Sequence, residues 1–188
     1  MKLRDYLTES GAVLSATADL LSPEVMEGAI DAVVTAFSSG KPFLVCGNGG
    51  SASDAMHITG ELVGRFLRER RALKAICLSD NTAVLTAWSN DYSYDTVFSR
   101  QVEAYGEKGA VILGLSTSGR SKNVIAAFQQ ARKMEMTTIA LTGEGGGELG
   151  ALADHLLDAP SRCTPFIQQV HICLYHYLCA QIEERLLP

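Results

Sequence analysis

Apolar positions recur every three or four residues over 3–20 and again over 23–39, with polar residues between them, and this spacing predicts two opening helices. Ser22-Pro23 reads as the N-cap and first-turn residue of the second, and Gly40 closes it. Beyond Gly40 the pattern changes. Short apolar runs alternate with longer amphipathic segments: Phe43–Cys46 then 51–67, Ala75–Leu78 then 82–104, Ala110–Leu115 then 121–134, Thr137–Leu141 then 147–152, and His155–Leu157 then 165–186. Near-continuous apolar strands separated by helices predict an α/β fold, a doubly wound parallel sheet of about five strands flanked by helices on both faces, with two N-terminal helices ahead of it. The 188 residues suit one domain spanning 1–188, and no linker, repeat or low-complexity tract divides them. The stretch Cys163 to Ile182 carries no Asp, Glu, Lys or Arg and has the length of a membrane span, but three Gln, two His and a Pro within it favour a buried helix.

Composition narrows the picture. Hydrophobic residues make up 47% and charged residues 20%, which excludes collagen-like and disordered classes. Sixteen Lys plus Arg against 21 Asp plus Glu give a net charge of −5, so the molecule repels polyanions, and neither nucleic acid nor membrane is an expected partner. Five cysteines, odd in number and without a Cys-x-x-Cys pair, read as small core residues in a reducing compartment. The opening Met1-Lys2-Leu3-Arg4-Asp5 meets charge before any apolar run, unlike a secretory leader, and a cytoplasmic location is the expectation.

In doubly wound sheets, ligands gather where strands end and helices begin. The first strand runs into Gly47-Asn48-Gly49-Gly50-Ser51, where glycines allow close backbone approach and Ser51 can cap the next helix, leaving its N–H groups free for an anion. No Lys follows, so this is not a Walker A loop. Gly47, Gly49 and Ala52 do satisfy the loose dinucleotide pattern, with Asp80 placed as a ribose acceptor, and a ligand-free strand-to-helix turn is the alternative. The third strand ends in Ser116-Thr117-Ser118-Gly119-Arg120-Ser121, four hydroxyls and a glycine at a second helix start. Hydroxyls and free amides make a neutral cradle for a phosphate monoester, although ordinary capping uses the same residues. A further loop, Thr142 to Gly147, carries Glu144 and is a poorer anion site.

Two helices offer titratable groups. His57 and Glu61 are four residues apart on one helical face, which suits a shared metal or an acid/base pair, or else a core histidine and a solvated charge. The last helix carries Gln168, His171 and His176 through its charge-free stretch, and buried polar groups require partners. Gln168 and His176 lie about 80° apart around the helix and about 12 Å apart along it, so both can face one cavity. His171 projects elsewhere and reads as a packing or subunit contact; His155 reads as structural or surface.

The glycine loop, the Ser/Thr loop and the β/α rhythm resemble the sugar isomerase (SIS) domain, in which the Ser/Thr loop grips the phosphate of a sugar phosphate. Ala55-Met56-His57 with Glu61, Asn90-Asp91, Phe98 to Val102, and Ile167-Gln168 with His171 and His176 narrow the resemblance to the phosphoheptose isomerase family. That resemblance implies a ketose/aldose isomerase converting D-sedoheptulose 7-phosphate to D-glycero-D-manno-heptose 7-phosphate through a cis-enediolate. It implies Glu61 and His176 as the acid/base pair, and zinc, one per subunit, on His57, Glu61, Gln168 and His176. It further implies that substrate is bound by Asn48, Gly49, Gly50, Glu61, Asn90, Asp91, Ser116, Thr117, Ser118, Ser121 and Gln168. The product would feed ADP-heptose for lipopolysaccharide or capsule. A homotetramer with sites at subunit interfaces follows from the same resemblance, helices 1–40 contributing to assembly. Phe166 and Gln169 depart from the family, which often has Arg and an acidic residue there. The rival readings are a non-catalytic SIS protein that binds a phosphosugar or regulates replication initiation, and a dinucleotide-dependent oxidoreductase.

Overall fold

The computed structural model describes residues 1–187. Helices α1 (Leu3–Leu20) and α2 (Pro23–Ser38) lead into β1 (Phe43–Gly47), α3 (Gly50–Val63), β2 (Ala75–Cys77), α4 (Thr82–Asp91), a 3-10 turn (Tyr94–Thr96) and α5 (Val97–Tyr105). There follow β3 (Val111–Ser116), α6 (Lys122–Lys133), β4 (Thr137–Thr142), the single turn α7 (Gly147–Gly150), β5 (His155–Asp158) and α8 (Thr164–Leu186). All five strands are parallel, in the order β2-β1-β3-β4-β5.

The strands are apolar throughout because both faces of the sheet are covered. Every residue of β1 and β3 is buried. Phe43 and Val45 join a core layer with Ile30 and Val33 of α2, Ile58 and Leu62 of α3, and Leu178 and Ile182 of α8. Leu44 and Cys46, pointing the other way, pack with Phe98 of α5 and Val124 and Phe128 of α6. Thus α3 and α6, which follow the adjacent strands β1 and β3, leave on opposite faces. The crevice between their starts is the topological switch point of the sheet.

Four local expectations are corrected. The segment 82–104 is not one helix: it breaks after Asp91, where Tyr92 takes φ −132° and ψ −89° and the Ser93 hydroxyl accepts the Asp95 N–H to start a new turn. The segment 51–67 is helical only to Val63, and 64–74 crosses over as an irregular loop. Ser51 does not cap α3, since Gly49 is the N-cap and Ser51 lies inside the first turn. Cys46, Cys77 and Cys179 are buried core residues as expected, but Cys163 and Cys173 are exposed. Phe166 and Gln169 have a structural role, facing α1: the Phe166 ring lies 5.1 Å from that of Tyr6, and Gln169 accepts a hydrogen bond from Ser10. Among the described residues no helix is long and apolar enough to cross a membrane.

Candidate active site

The first turns of α3 rise from β1 at the switch point, and its next two turns present His57 and Glu61 toward α8. His57 Nε2 stands 3.0 Å from Glu61 Oε1 and 3.5 Å from His176 Nε2. One donor atom from each of the three residues lies within 4.8 Å of the others. Residues 119 positions apart in the chain meet here because α3 and α8 pack side by side on one face of the sheet. Behind His57, its Nδ1 is 3.0 Å from the buried Tyr175 hydroxyl, which also donates toward Asp54 Oδ1 at 3.4 Å. Phe66 stacks on the His176 imidazole, ring centroids 5.4 Å apart and 19° from parallel.

Charge is managed around this centre. Burial, reinforced by the neighbouring His57, pushes the His176 imidazole below its ordinary pKa, against the pull of Glu61. Burial raises the Asp54 carboxyl, against the Tyr175 hydrogen bond and His57. Below the centre, Glu183 of α8 is buried and accepts three backbone N–H groups, from Phe66 (3.0 Å), Leu67 (2.8 Å) and Arg68 (2.9 Å). Arg70 lies 3.1 Å from the same carboxylate and donates to the carbonyls of Glu61 (2.7 Å) and Leu62 (2.9 Å), closing the end of α3. Burial works to raise the Glu183 carboxyl, but the three amides and Arg70 outweigh it and hold it below the usual carboxylate range. The loop that carries Phe66 is thereby fixed to α8.

At the switch point the two loops are tied together. The amides of Asn48 and Asn123 bond reciprocally at 2.8 Å, and the Tyr94 hydroxyl donates to Asn48 Oδ1 at 2.7 Å. Ser116 and Ser121 share a hydroxyl–hydroxyl bond of 2.9 Å, and Ser118 Oγ accepts the Arg120 N–H at 3.2 Å. Gly119 makes the turn with φ +62°, a conformation that L side chains rarely adopt. Thr117 and Ser118 line a cavity of about 350 Å³ with Arg120, Glu144, Ser161 and Arg162. Glu144 is at its rim, ion-paired with Arg162 at 2.7 Å.

The sequence comparisons agree with one another. The SIS domain family matches residues 5–143. A phosphoheptose isomerase from Citrifermentans bemidjiense is 48% identical over 186 residues, covering 99% of this chain and 96% of that protein. One from Crocosphaera subtropica is 48% identical over 161 residues, covering 86% and 82% respectively. The chain belongs to the phosphoheptose isomerase family of SIS-domain proteins. The solved phosphoheptose isomerase of Neisseria gonorrhoeae superposes with a TM-score of 0.91 at 38% identity, covering 97% of each chain.

For a phosphoheptose isomerase family member, the anticipated residues fall into separate groups. His57, Glu61 and His176 form one cluster; Ser116, Thr117, Ser118 and Ser121 form the loop after β3. Gln168 lies against the start of α3: its amide occupies the space that a Cβ on Gly50 would need, so only glycine permits this approach. Asn90 and Asp91 are exposed at the end of α4 and bond to each other at 2.9 Å, without a hydrogen bond to the other candidate residues among the described ones. His171 is fully buried, its Nε2 3.0 Å from the Thr142 carbonyl, and burial lowers its pKa to about 4 despite that bond. It is a packing residue. His155 opens β5 with its ring against Gly28, a structural place. Asp80 lines a separate cavity of about 430 Å³ with Met56, Thr59 and Gln101.

Seven residues escaped the sequence reading: Asp54, Phe66, Arg70, Tyr94, Asn123, Tyr175 and Glu183. Asp54, three residues before His57, carried a local signal, since a polar group one turn from a site residue faces the same way, whereas Tyr175, next to His176, points about 100° away from it around the helix and gave none. The others act across the fold. As a cation site, the centre fits a first-row divalent ion: nitrogen and oxygen donors in a tetrahedral zinc shell stand about 3.3 Å apart, and the His57 contacts of 3.0 and 3.5 Å bracket that spacing.

Proposed function

We propose that this protein isomerises D-sedoheptulose 7-phosphate to D-glycero-D-manno-heptose 7-phosphate. The observation that carries the reading is the convergence of the Glu61 carboxylate and the His176 imidazole around His57, on the two helices whose first turns meet at Gly50 and Gln168. Moving a carbonyl from C2 to C1 transfers one proton from C1 to C2 and another from O1 to O2, with no net oxidation. It needs a base over that edge of the sugar and a group that handles protons on oxygen. Glu61 takes the proton from C1, giving the cis-enediolate, and returns it to C2. His176, whose pKa is lowered, passes the proton between the two oxygens or assists opening of the hemiketal ring. Ser116, Thr117, Ser118 and Ser121 hold the phosphate, and Asn48 to Gly50, Asn90, Asp91 and Gln168 complete the sugar site.

His57, Glu61 and His176 would hold one zinc per subunit; Gln168, the expected fourth donor, would join them only by moving its amide away from Gly50. When bound, that ion supplies Lewis-acid polarisation of the carbonyl and hydroxyl oxygens. Glu61 cannot be a tight metal ligand and a strong base at once, so its two roles compete. The protein acts in the cytoplasm at the head of ADP-heptose synthesis for lipopolysaccharide or capsule. It assembles as a homotetramer through the exposed apolar positions of α1 and α8, among them Leu3, Leu7, Leu20, Ile172 and Tyr177, with the sites at subunit interfaces.

The test is an NMR assay of the purified protein with sedoheptulose 7-phosphate, with and without added zinc. Growth of the aldose signals supports the isomerase. Binding of the sugar phosphate without turnover under either condition overturns it in favour of a phosphosugar-binding protein. Loss of activity on chelation, restored by zinc, supports the ion, and full turnover of metal-free protein removes it.

A further inference from the structure

Tyr175 and Asp54 have no role in the chemistry just described, yet both are buried directly behind it. Tyr175 is 1% exposed and Asp54 8%. The Tyr175 ring meets the His57 ring edge-on, centroids 5.5 Å apart, and places its hydroxyl 3.0 Å from Nδ1 and 3.4 Å from Asp54 Oδ1. The other Asp54 oxygen, Oδ2, is buried with no hydrogen-bond partner among the described residues. Asp54, Tyr175 and His57 therefore form one chain of polar groups that ends at Glu61 and His176.

Proton counting allows that chain two directions. A phenol has one proton to donate, and an ionised carboxylate only accepts. With the phenol proton on Asp54, the phenol oxygen is free to accept from His57 Nδ1–H. A neutral imidazole protonated on Nδ1 has a bare Nε2. That nitrogen is the one turned toward Glu61 and His176. In the opposite arrangement Tyr175 donates to Nδ1 and the proton sits on Nε2, facing Glu61, where it blocks the electron pair. The two acceptors on either side of the ring, Tyr175 and Glu61, thus compete for one imidazole proton.

We infer that Tyr175, backed by Asp54, is a positioning residue that holds the His57 proton on Nδ1 and so keeps Nε2 available as an electron-pair donor to a divalent cation. The inference rests on the reading that the His57, Glu61 and His176 centre holds such a cation. Ligating histidines are commonly fixed through their other ring nitrogen, and loss of that support weakens metal affinity roughly 10- to 100-fold. Here the support is a phenol interposed between imidazole and carboxylate.

The test uses zinc itself, titrated against a competing chelator, on the full-length protein and its Tyr175→Phe and Asp54→Ala variants. Tyr175→Phe removes one oxygen and keeps the packed ring; it is expected to weaken zinc binding roughly 10- to 100-fold. Asp54→Ala leaves the phenol free to donate to Nδ1 and is expected to weaken binding at least as much. Equal affinity within twofold in both folded variants overturns the inference, even if their melting temperatures fall. Absence of zinc binding by the unaltered protein overturns the cation reading instead. ¹⁵N NMR of the unaltered protein before zinc is added needs no variant: a protonated Nδ1 on neutral His57 supports the inference, and a protonated Nε2 refutes it.

Discussion

The centre between α3 and α8 and the loop after β3 are constructed differently. At the centre, each working side chain is held by another side chain: His57 by Tyr175, His176 by Phe66, and the Phe66 loop by Glu183 and Arg70. In the loop, the shape is set by backbone, through the Gly119 turn and the Thr117 carbonyl, which accepts the Gly143 N–H at 3.0 Å. A group that moves protons must be oriented to within a fraction of an ångström, whereas a dianion is held well by several interchangeable donors. Substitutions at the centre should therefore act steeply on turnover or stability, and those in the loop gradually on binding.

The comparison is tested most severely at Glu61. Glu61→Gln is expected to lower kcat roughly 100- to 10,000-fold, the usual contribution of a positioned base, with the circular dichroism spectrum and melting curve unchanged. Near-normal turnover by that folded variant would remove the base from the centre. Next comes the buried pair. Glu183→Leu strands Arg70 and three backbone N–H groups, and urea denaturation should show a loss of about 3–5 kcal/mol. A loss under 1 kcal/mol would show that the 64–74 loop is held by other contacts.

His171 gives a pH signature. Its folded pKa, about 4, lies below the ordinary histidine value of 6.5, so the unfolded chain takes up the proton first as pH falls. The stability that this buried neutral ring contributes is complete above pH 6.5 and is lost progressively down to about pH 4. His171→Gln should flatten the fall in unfolding free energy from urea titrations between those limits by on the order of 2 kcal/mol. An unchanged slope would mean that His171 ionises freely. The smallest effect belongs to the loop: Ser118→Ala should raise KM roughly tenfold, one hydrogen bond to a charged group, and leave kcat within about threefold. A drop in kcat with KM unchanged would make the loop part of the chemistry and erase the contrast.

The layers of the fold were legible because a sheet buried on both faces leaves uninterrupted apolar runs, as at Phe43–Cys46, and the helices between them keep a helical period. The break at Asp91 was hidden: Val84 to Val102 continues a plausible apolar stripe, and only Ser93, two residues before Asp95, signalled a new cap. At the site, His57 and Glu61 were readable as a pair from their spacing on one helix. Their meeting with His176 was anticipated through family resemblance, since nothing local connects positions over a hundred residues apart. Arg70 and Glu183 were not legible at all. Each reads as a solvated charge in its own segment, and only the packing of the 64–74 loop beneath α8 makes them partners.

Helix α8 touches Gly50 through Gln168, the end of β4 through His171, the His57–Glu61 pair through His176 and the crossover loop through Glu183. Its 23 residues make a rod about 34 Å long at 1.5 Å per residue. One stiff body thus serves as the common ruler for four otherwise separate parts. Any tilt or slide of that rod would reset all four spacings together, so the dimensions of the pocket are inherited from a helix rather than negotiated among loops.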